Sequence, residues 1–197
     1  MRLLPFLMIG LLLSANKEND KENVHLPRHK INSNCYSAIK KFVPEGYVVM
    51  DQADGDLNGD GIADKILVLK LKRDFTEEGK RPVILLIGNQ VHSFRKVAEN
   101  ENVLLSFSDG GIHGDPYHGI SIKNGYFSFE HFGGSGRRWT QVITFKYDKE
   151  KQNWFLNKVG SESWHIDNPN KFKFVQFTKK DFGIVPFIDY QNDWINK

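Results

Sequence analysis

The sequence predicts a mostly β fold. It reads as antiparallel meanders forming a small sandwich-like or barrel-like domain, or a partial propeller-like one, with a short helix at the N-terminal end. Three observations carry this expectation. Aromatic residues make up 13% of the chain, with 15 Phe, and aromatics favour strands and large buried surfaces. After the first fifth of the chain, apolar residues alternate or run in short blocks bounded by Gly, Asn, Asp and Pro, the punctuation of strands and turns. The blocks follow one another closely, which suits antiparallel neighbours. With 40% hydrophobic and 26% charged residues in 197, the composition is that of an ordinary globular chain able to form one core.

The elements follow in order. "MRLLPFLMIGLLLSAN" carries one Arg and then an apolar run from Leu3 to Leu13. The run falls short of the roughly 20 residues that span a bilayer and fits an export signal over 1–15. "LSAN" is similar to a bacterial lipoprotein box with Asn16 in the place of the lipidated Cys, which implies a periplasmic or secreted protein without a lipid anchor. Residues 16–33 are polar and lack apolar periodicity, so they read as a flexible leader. A single β domain then occupies 34–197. The lone Cys35 has no internal disulfide partner.

"NSNCYSAIKKFVP" predicts a short helix ending before Pro44. "GYVVM" is a short apolar strand. Residues 65–72 place Leu67, Leu69 and Leu71 on one face and Ile66 and Val68 on the other. "RPVILLIG" is apolar on both faces and reads as a central strand, followed by "VHSFRKVA". In "GISIKNGYFSFEHF" the Asn124-Gly125 pair suits a type I′ hairpin turn. Residues 139–148 alternate, and "NWFLNKVG" and "KFKFVQF" complete the series. No internal repeat appears at the period of a multi-blade propeller. The basic clusters "KKF", "KRDF", "GRRW" and "TKK" are scattered among acids and net charge is +3, which argues against a nucleic-acid surface.

"DGDLNGDGIADK", residues 54–65, holds four Asp, one Asn and three Gly just before a strand. Counted from Asp56, side-chain oxygens fall at positions 1, 3, 5 and 9: Asp56, Asn58, Asp60 and Asp64. Ile62, at position 7, offers its carbonyl, and Gly59 and Gly61 permit tight turns. An all-oxygen set of this kind suits Ca²⁺, which accepts 6–8 hard ligands; zinc would want softer ones. The loop departs from an EF-hand, having neither a Glu at position 12 nor flanking helices.

"DGDLNGDGIADKILVL" resembles the FG-GAP/VCBS-type calcium loop of integrin α propellers and many exported bacterial proteins. The resemblance implies a structural Ca²⁺ held by Asp56, Asn58, Asp60, the Ile62 carbonyl and Asp64. It covers one loop of the chain, where a propeller would carry several, and so points to a small stand-alone β domain.

Other candidates are less specific. His113, Asp115 and His118 in "SDGGIHGDPYHG" are the residues an envelope hydrolase would use, although their spacing matches no zinc motif. "EHFGGSGRRW" reads as two strands joined by a glycine-rich turn. A strand, not a helix, follows it, which argues against phosphate binding. Arg137, Arg138 and Trp139 suit recognition of a carboxylate or sugar, and Trp164 beside the next turn suits stacking. Ser135 lacks a nucleophile elbow, and His131, on the side of Phe127 and Phe129, reads as a core histidine. The expected function is an exported non-enzymatic binding module with a structural calcium site, recognising a protein or glycan of the cell envelope through its loops. The alternatives are a hydrolase and a periplasmic inhibitor or immunity-type protein.

Overall fold

The computed structural model describes residues 37–72, 79–91 and 93–192. The expected export signal (1–15), polar leader (16–33) and Cys35 lie outside them. A short helical stretch, 37–39, runs into a 3-10 turn, Lys40–Phe42. Nine strands follow: β1 (Tyr47–Gly55), β2 (Asp64–Leu71), β3 (Val83–Gly88), β4 (Phe94–Asn100), β5 (Tyr117–Lys123), β6 (Tyr126–Gly134), β7 (Arg137–Asp148), β8 (Asn153–His165) and β9 (Asn168–Thr178). A single helical turn, Lys179–Phe182, and a 3-10 turn, Phe187–Asp189, close the described chain.

The strands form two antiparallel meanders, β1-β2-β3-β4 and β5-β6-β7-β8-β9. The arrangement is sandwich-like, and neither sheet closes into a barrel. The main core lies between the sheets. Ile66, Val68, Val83, Leu85 and Ala98 come from the first, and Phe127, Phe129, Ile143, Phe145 and Val159 from the second. Leu67, Leu69, Ile84 and Leu86 point the other way and pack with Ile39 of the N-terminal helical stretch. That is why β2 and β3 are apolar on both faces: each is a central strand covered on both sides. The C-terminal segment is pinned across the open end by Asn100, whose Nδ2 donates to the carbonyls of Phe187 (2.5 Å) and Tyr190 (2.8 Å).

Asn124 and Gly125 both have positive φ, 53° and 74°, the geometry that a two-residue type I′ turn requires. Elsewhere the strands run further than their apolar residues predict. β1 continues through Asp51 and Asp54 because β2 pairs with it as far as Gly55↔Asp64. The glycine-rich turn expected within 130–139 shrinks to Ser135 and Gly136, since Gly133 and Gly134 pair with Trp139 and Arg138 as strand residues. Backbone pairing, which the side-chain pattern does not report, sets both boundaries.

Candidate functional site

The 54–64 segment is the end of the β1–β2 hairpin. Gly59 and Gly61 take φ of 78° and 80°, a left-handed geometry costly for any residue with a Cβ. The loop turns around its own side chains. Asp56 accepts from the N–H groups of Gly59 (2.6 Å), Asp60 (3.2 Å) and Gly61 (2.9 Å). Asn58 Oδ1 accepts from Asp60 N–H, and Asp60 Oδ1 from Ile62 N–H. Asn58 Nδ2 donates to Asp60 Oδ2 at 2.9 Å. Asp64 is fully buried and staples the loop to the sheet, accepting from Leu57 N–H (2.8 Å) and Gly88 N–H (2.9 Å). Asp54, just before the nine-residue span that starts at Asp56, pairs instead with the buried ammonium of Lys65.

The loop also ties the two sheets together. Leu57 is buried in the main core, its carbonyl accepts from Trp154 Nε1 at 2.8 Å, and the Asp56 carbonyl accepts from Gly125 N–H at 3.2 Å. The carboxylates respond to their settings differently. Burial pushes Asp56 up, but the N–H groups of Gly61, Gly59, Asp60 and Asn58 outweigh it and hold the carboxyl below the usual value. Burial raises Asp64, with the charges of Asp60 and Asp56 adding to it against the N–H groups of Gly88 and Leu57.

As arranged, no three His, Cys, Asp or Glu side chains among the described residues are gathered to hold a metal ion. The donor chemistry nonetheless fits a hard cation. A carboxylate has about four acceptor positions, and Asp60 and Asp64 each use two on the contacts above. A cation shell would draw on the remaining lone pairs, with Asn58 Oδ1 and the Ile62 carbonyl.

The residues of the 113–118 loop do not meet. Asp115 Oδ1 accepts from Arg81 Nη1 (2.5 Å) and Tyr117 N–H (3.0 Å). The exposed His113 ring lies 5.0 Å from that of Phe132. His118 stands exposed on β5. No hydrogen bond joins any two of the three, so the arrangement lacks the base–orienter contact of an acid–base site.

Asp115 belongs to a partly buried cluster that sequence reasoning did not assemble. Arg81 is 5% exposed and also donates to the Leu105 carbonyl, and its guanidinium carbon lies 5.9 Å from the Tyr117 ring centre. Tyr117 donates its hydroxyl to Asp51 Oδ2 at 2.8 Å. His131 is 1% exposed and lies edge-on to Tyr117 at 6.4 Å. Burial and then the charge of Asp51 hold the Tyr117 hydroxyl far above its ordinary value. Burial first, and then the Arg81 charge, push His131 down to about 3. Asp51 comes from β1, Arg81 from just before β3, and Asp115, Tyr117 and His131 from the second sheet's side, so the cluster joins the sheets. Nothing in the spacing of these residues announces it; of its members the sequence singled out only Asp115, with His113 and His118, and His131, as a core histidine.

Arg137, Arg138, Trp139 and Trp164 do not form one patch. Strand alternation puts Trp139 on the opposite face from Arg138 and Trp164, and its ring packs where a Gly133 side chain would stand. Arg138 and Trp164 are cross-strand partners, as are Trp164 and Phe172. The next row of the same face runs Phe132, Thr140, Glu162, Phe174. Phe132 and Trp164 are 6.5 Å apart, Phe174 lies over Gly160, and Arg138 Nη1 is buried without a hydrogen-bond partner. Phe172 and Phe174 are 59% and 54% exposed, a large apolar area open on one sheet face. The exposed Arg137, which pairs in register with His165, alternates to the same side as Trp139. The two phenylalanines were read only as strand residues, and it is register that brings them beside Trp164.

No helix among the described residues is long and apolar enough to cross a membrane. No protein-family model, curated protein or solved structure matches the chain.

Proposed function

We propose that this protein is an exported, non-enzymatic binding module that recognises a protein of the cell envelope through the outer face of its five-stranded sheet. The observation that carries the reading is the aromatic face of Phe132, Trp164, Phe172 and Phe174 with Arg138 beside it. Trp, Phe and Arg on one exposed surface are the composition of interface hot spots. The edge strand β9 is guarded against pairing with itself by Pro169, Lys171 and Lys173. The face itself, with Arg138 beside Trp164 and Phe172, suits a partner with an apolar anchor and an acidic group next to it. A Phe172→Ser/Phe174→Ser variant alters exposed side chains only and should keep its melting temperature. Wild-type protein immobilised on resin should retain an envelope protein that the variant loses. Equal retention by both overturns this reading.

Ca²⁺ is the proposed organiser of the 54–64 loop, held by Asp56, Asn58, Asp60, the Ile62 carbonyl and Asp64. It would supply charge compensation to three neighbouring carboxylates and no reaction step. Because Leu57 and the Asp56 carbonyl bind the loop to the second sheet, ion binding would stabilise the sandwich. A ligand confined to the native state adds about 2.7 kcal/mol at a hundredfold excess over Kd. The melting temperature of chelator-treated protein should therefore rise across a Ca²⁺ titration, and Asp60→Ala should abolish the rise. A flat titration removes Ca²⁺ from the proposal and leaves the binding face untouched.

A further inference from the structure

The two aromatic rows on the outer face of the five-stranded sheet carry one charge of each sign. One row runs Arg138, Trp164, Phe172, and the next Phe132, Thr140, Glu162, Phe174. Arg138 and Glu162 are therefore diagonal neighbours across β7 and β8, a separation that long side chains can bridge. They do not bridge it. Neither is in an ion pair among the described residues, and Arg138 Nη1 is buried without a hydrogen-bond partner. Both residues are half-buried among the rings, where an unpaired charge costs more than it does at a solvated rim.

Exposed apolar area of this kind on a β-sheet face marks an interaction surface. Its cover needs an apolar anchor with an acidic group beside it for Arg138, and a basic group for Glu162. The face itself presents all three: Phe174 and Trp164 as anchors, Glu162 between them, and Arg138 opposite Trp164. Consider two copies facing each other about a two-fold axis that lies in the contact plane and passes between the two charged positions. Each Arg138 then meets the partner's Glu162, and every contact occurs twice. Sheets packed face to face in this way stand about 10 Å apart with their side chains interleaved. Growth through the edge of β9 is opposed by Pro169, Lys171 and Lys173, so the face, and not the edge, is the route to self-association.

We propose that the aromatic face joins two copies of this chain into a closed two-fold dimer, with Arg138 and Glu162 as its reciprocal ion pair. This rests on the reading of the face as a protein interface and names the partner. The contact is confined to the outer face of a few strands, which places the dimer among small, reversible interfaces with micromolar dissociation constants.

The test is sedimentation velocity of the whole protein from low micromolar to near-millimolar concentration. The wild type is expected to pass from monomer to dimer and no further. Arg138→Glu and Glu162→Arg each set like charges against one another, and each alone should weaken the dimer by at least about tenfold, or about 1.4 kcal/mol. An equimolar mixture of the two variants should dimerise as the wild type does, because both opposing pairs are again of opposite sign. Phe174→Ser keeps both charges, truncates an exposed ring and should stay monomeric, whereas Lys171→Gln should match the wild type. The proposal is overturned by a wild type that is monomeric throughout, by single variants that dimerise as well as the wild type, or by a folded mixture that does not dimerise. A monomeric wild type that still retains an envelope protein lost by Phe172→Ser/Phe174→Ser overturns the dimer and keeps the wider reading of the face.

Discussion

Acidification from pH 7 to pH 4 is expected to cost this fold several kcal/mol through His131 alone. The ring is 1% exposed and neither nitrogen has a hydrogen-bond partner in the protein. The groups facing it are Tyr117 edge-on, the Arg81 charge, and Gln141 opposite in register; Asp51 and Asp115 are turned to Tyr117 and Arg81. The folded value is about 3 against an ordinary 6.5. Between those values the unfolded chain binds a proton that the folded chain does not, so stability rises with pH. The loss therefore begins as pH falls through 6.5 and is complete near 3, at about 1.4 kcal/mol per unit. His131→Leu removes the titration and two unpaired polar atoms. Urea unfolding of both proteins at pH 7 and pH 4 should show the variant losing about 3 kcal/mol less than the wild type. Parallel losses in the two proteins would show that His131 is accessible to protons in the folded state.

Phe145→Ala should be the most damaging single truncation in the core. Phe145 is fully buried and stacks on Phe127 at 5.2 Å. Phe187 and Tyr190 present their edges to it at 5.2 and 5.4 Å. It therefore joins the middle of the second sheet to the C-terminal segment that closes the sandwich. Truncating a buried Phe costs about 3–5 kcal/mol, combining lost burial with a residual cavity. The urea midpoint should fall by the matching amount with little change in slope. Phe172→Ala, on the exposed face, should stay within about 0.5 kcal/mol of the wild type. A cost below about 1 kcal/mol at Phe145 would mean that the aromatic cluster collapses around the gap.

Elements whose signal is local were legible from the chain alone. Alternation and apolar runs marked the strands, "RPVILLIG" marked a strand covered on both faces, and Asn124-Gly125 marked its turn, because each depends on residues adjacent in the chain. The acidic loop stood out for the same reason: its oxygens and glycines lie within a single turn of backbone. Register and face, by contrast, emerged only on folding. Gly133 and Gly134 looked like a turn and proved to be strand, since pairing with Trp139 and Arg138 outweighs glycine's local preference. Arg138 and Trp139, neighbours in sequence, went to opposite faces because strand side chains alternate. Arg138 thereby joined Trp164 and Phe172 across three strands. Arg81, Asp51, Asp115, Tyr117 and His131 were brought together by the approach of two separate sheets. Contacts of this kind depend on how the sheets stack over the Phe145 core, and no window of the sequence contains that information.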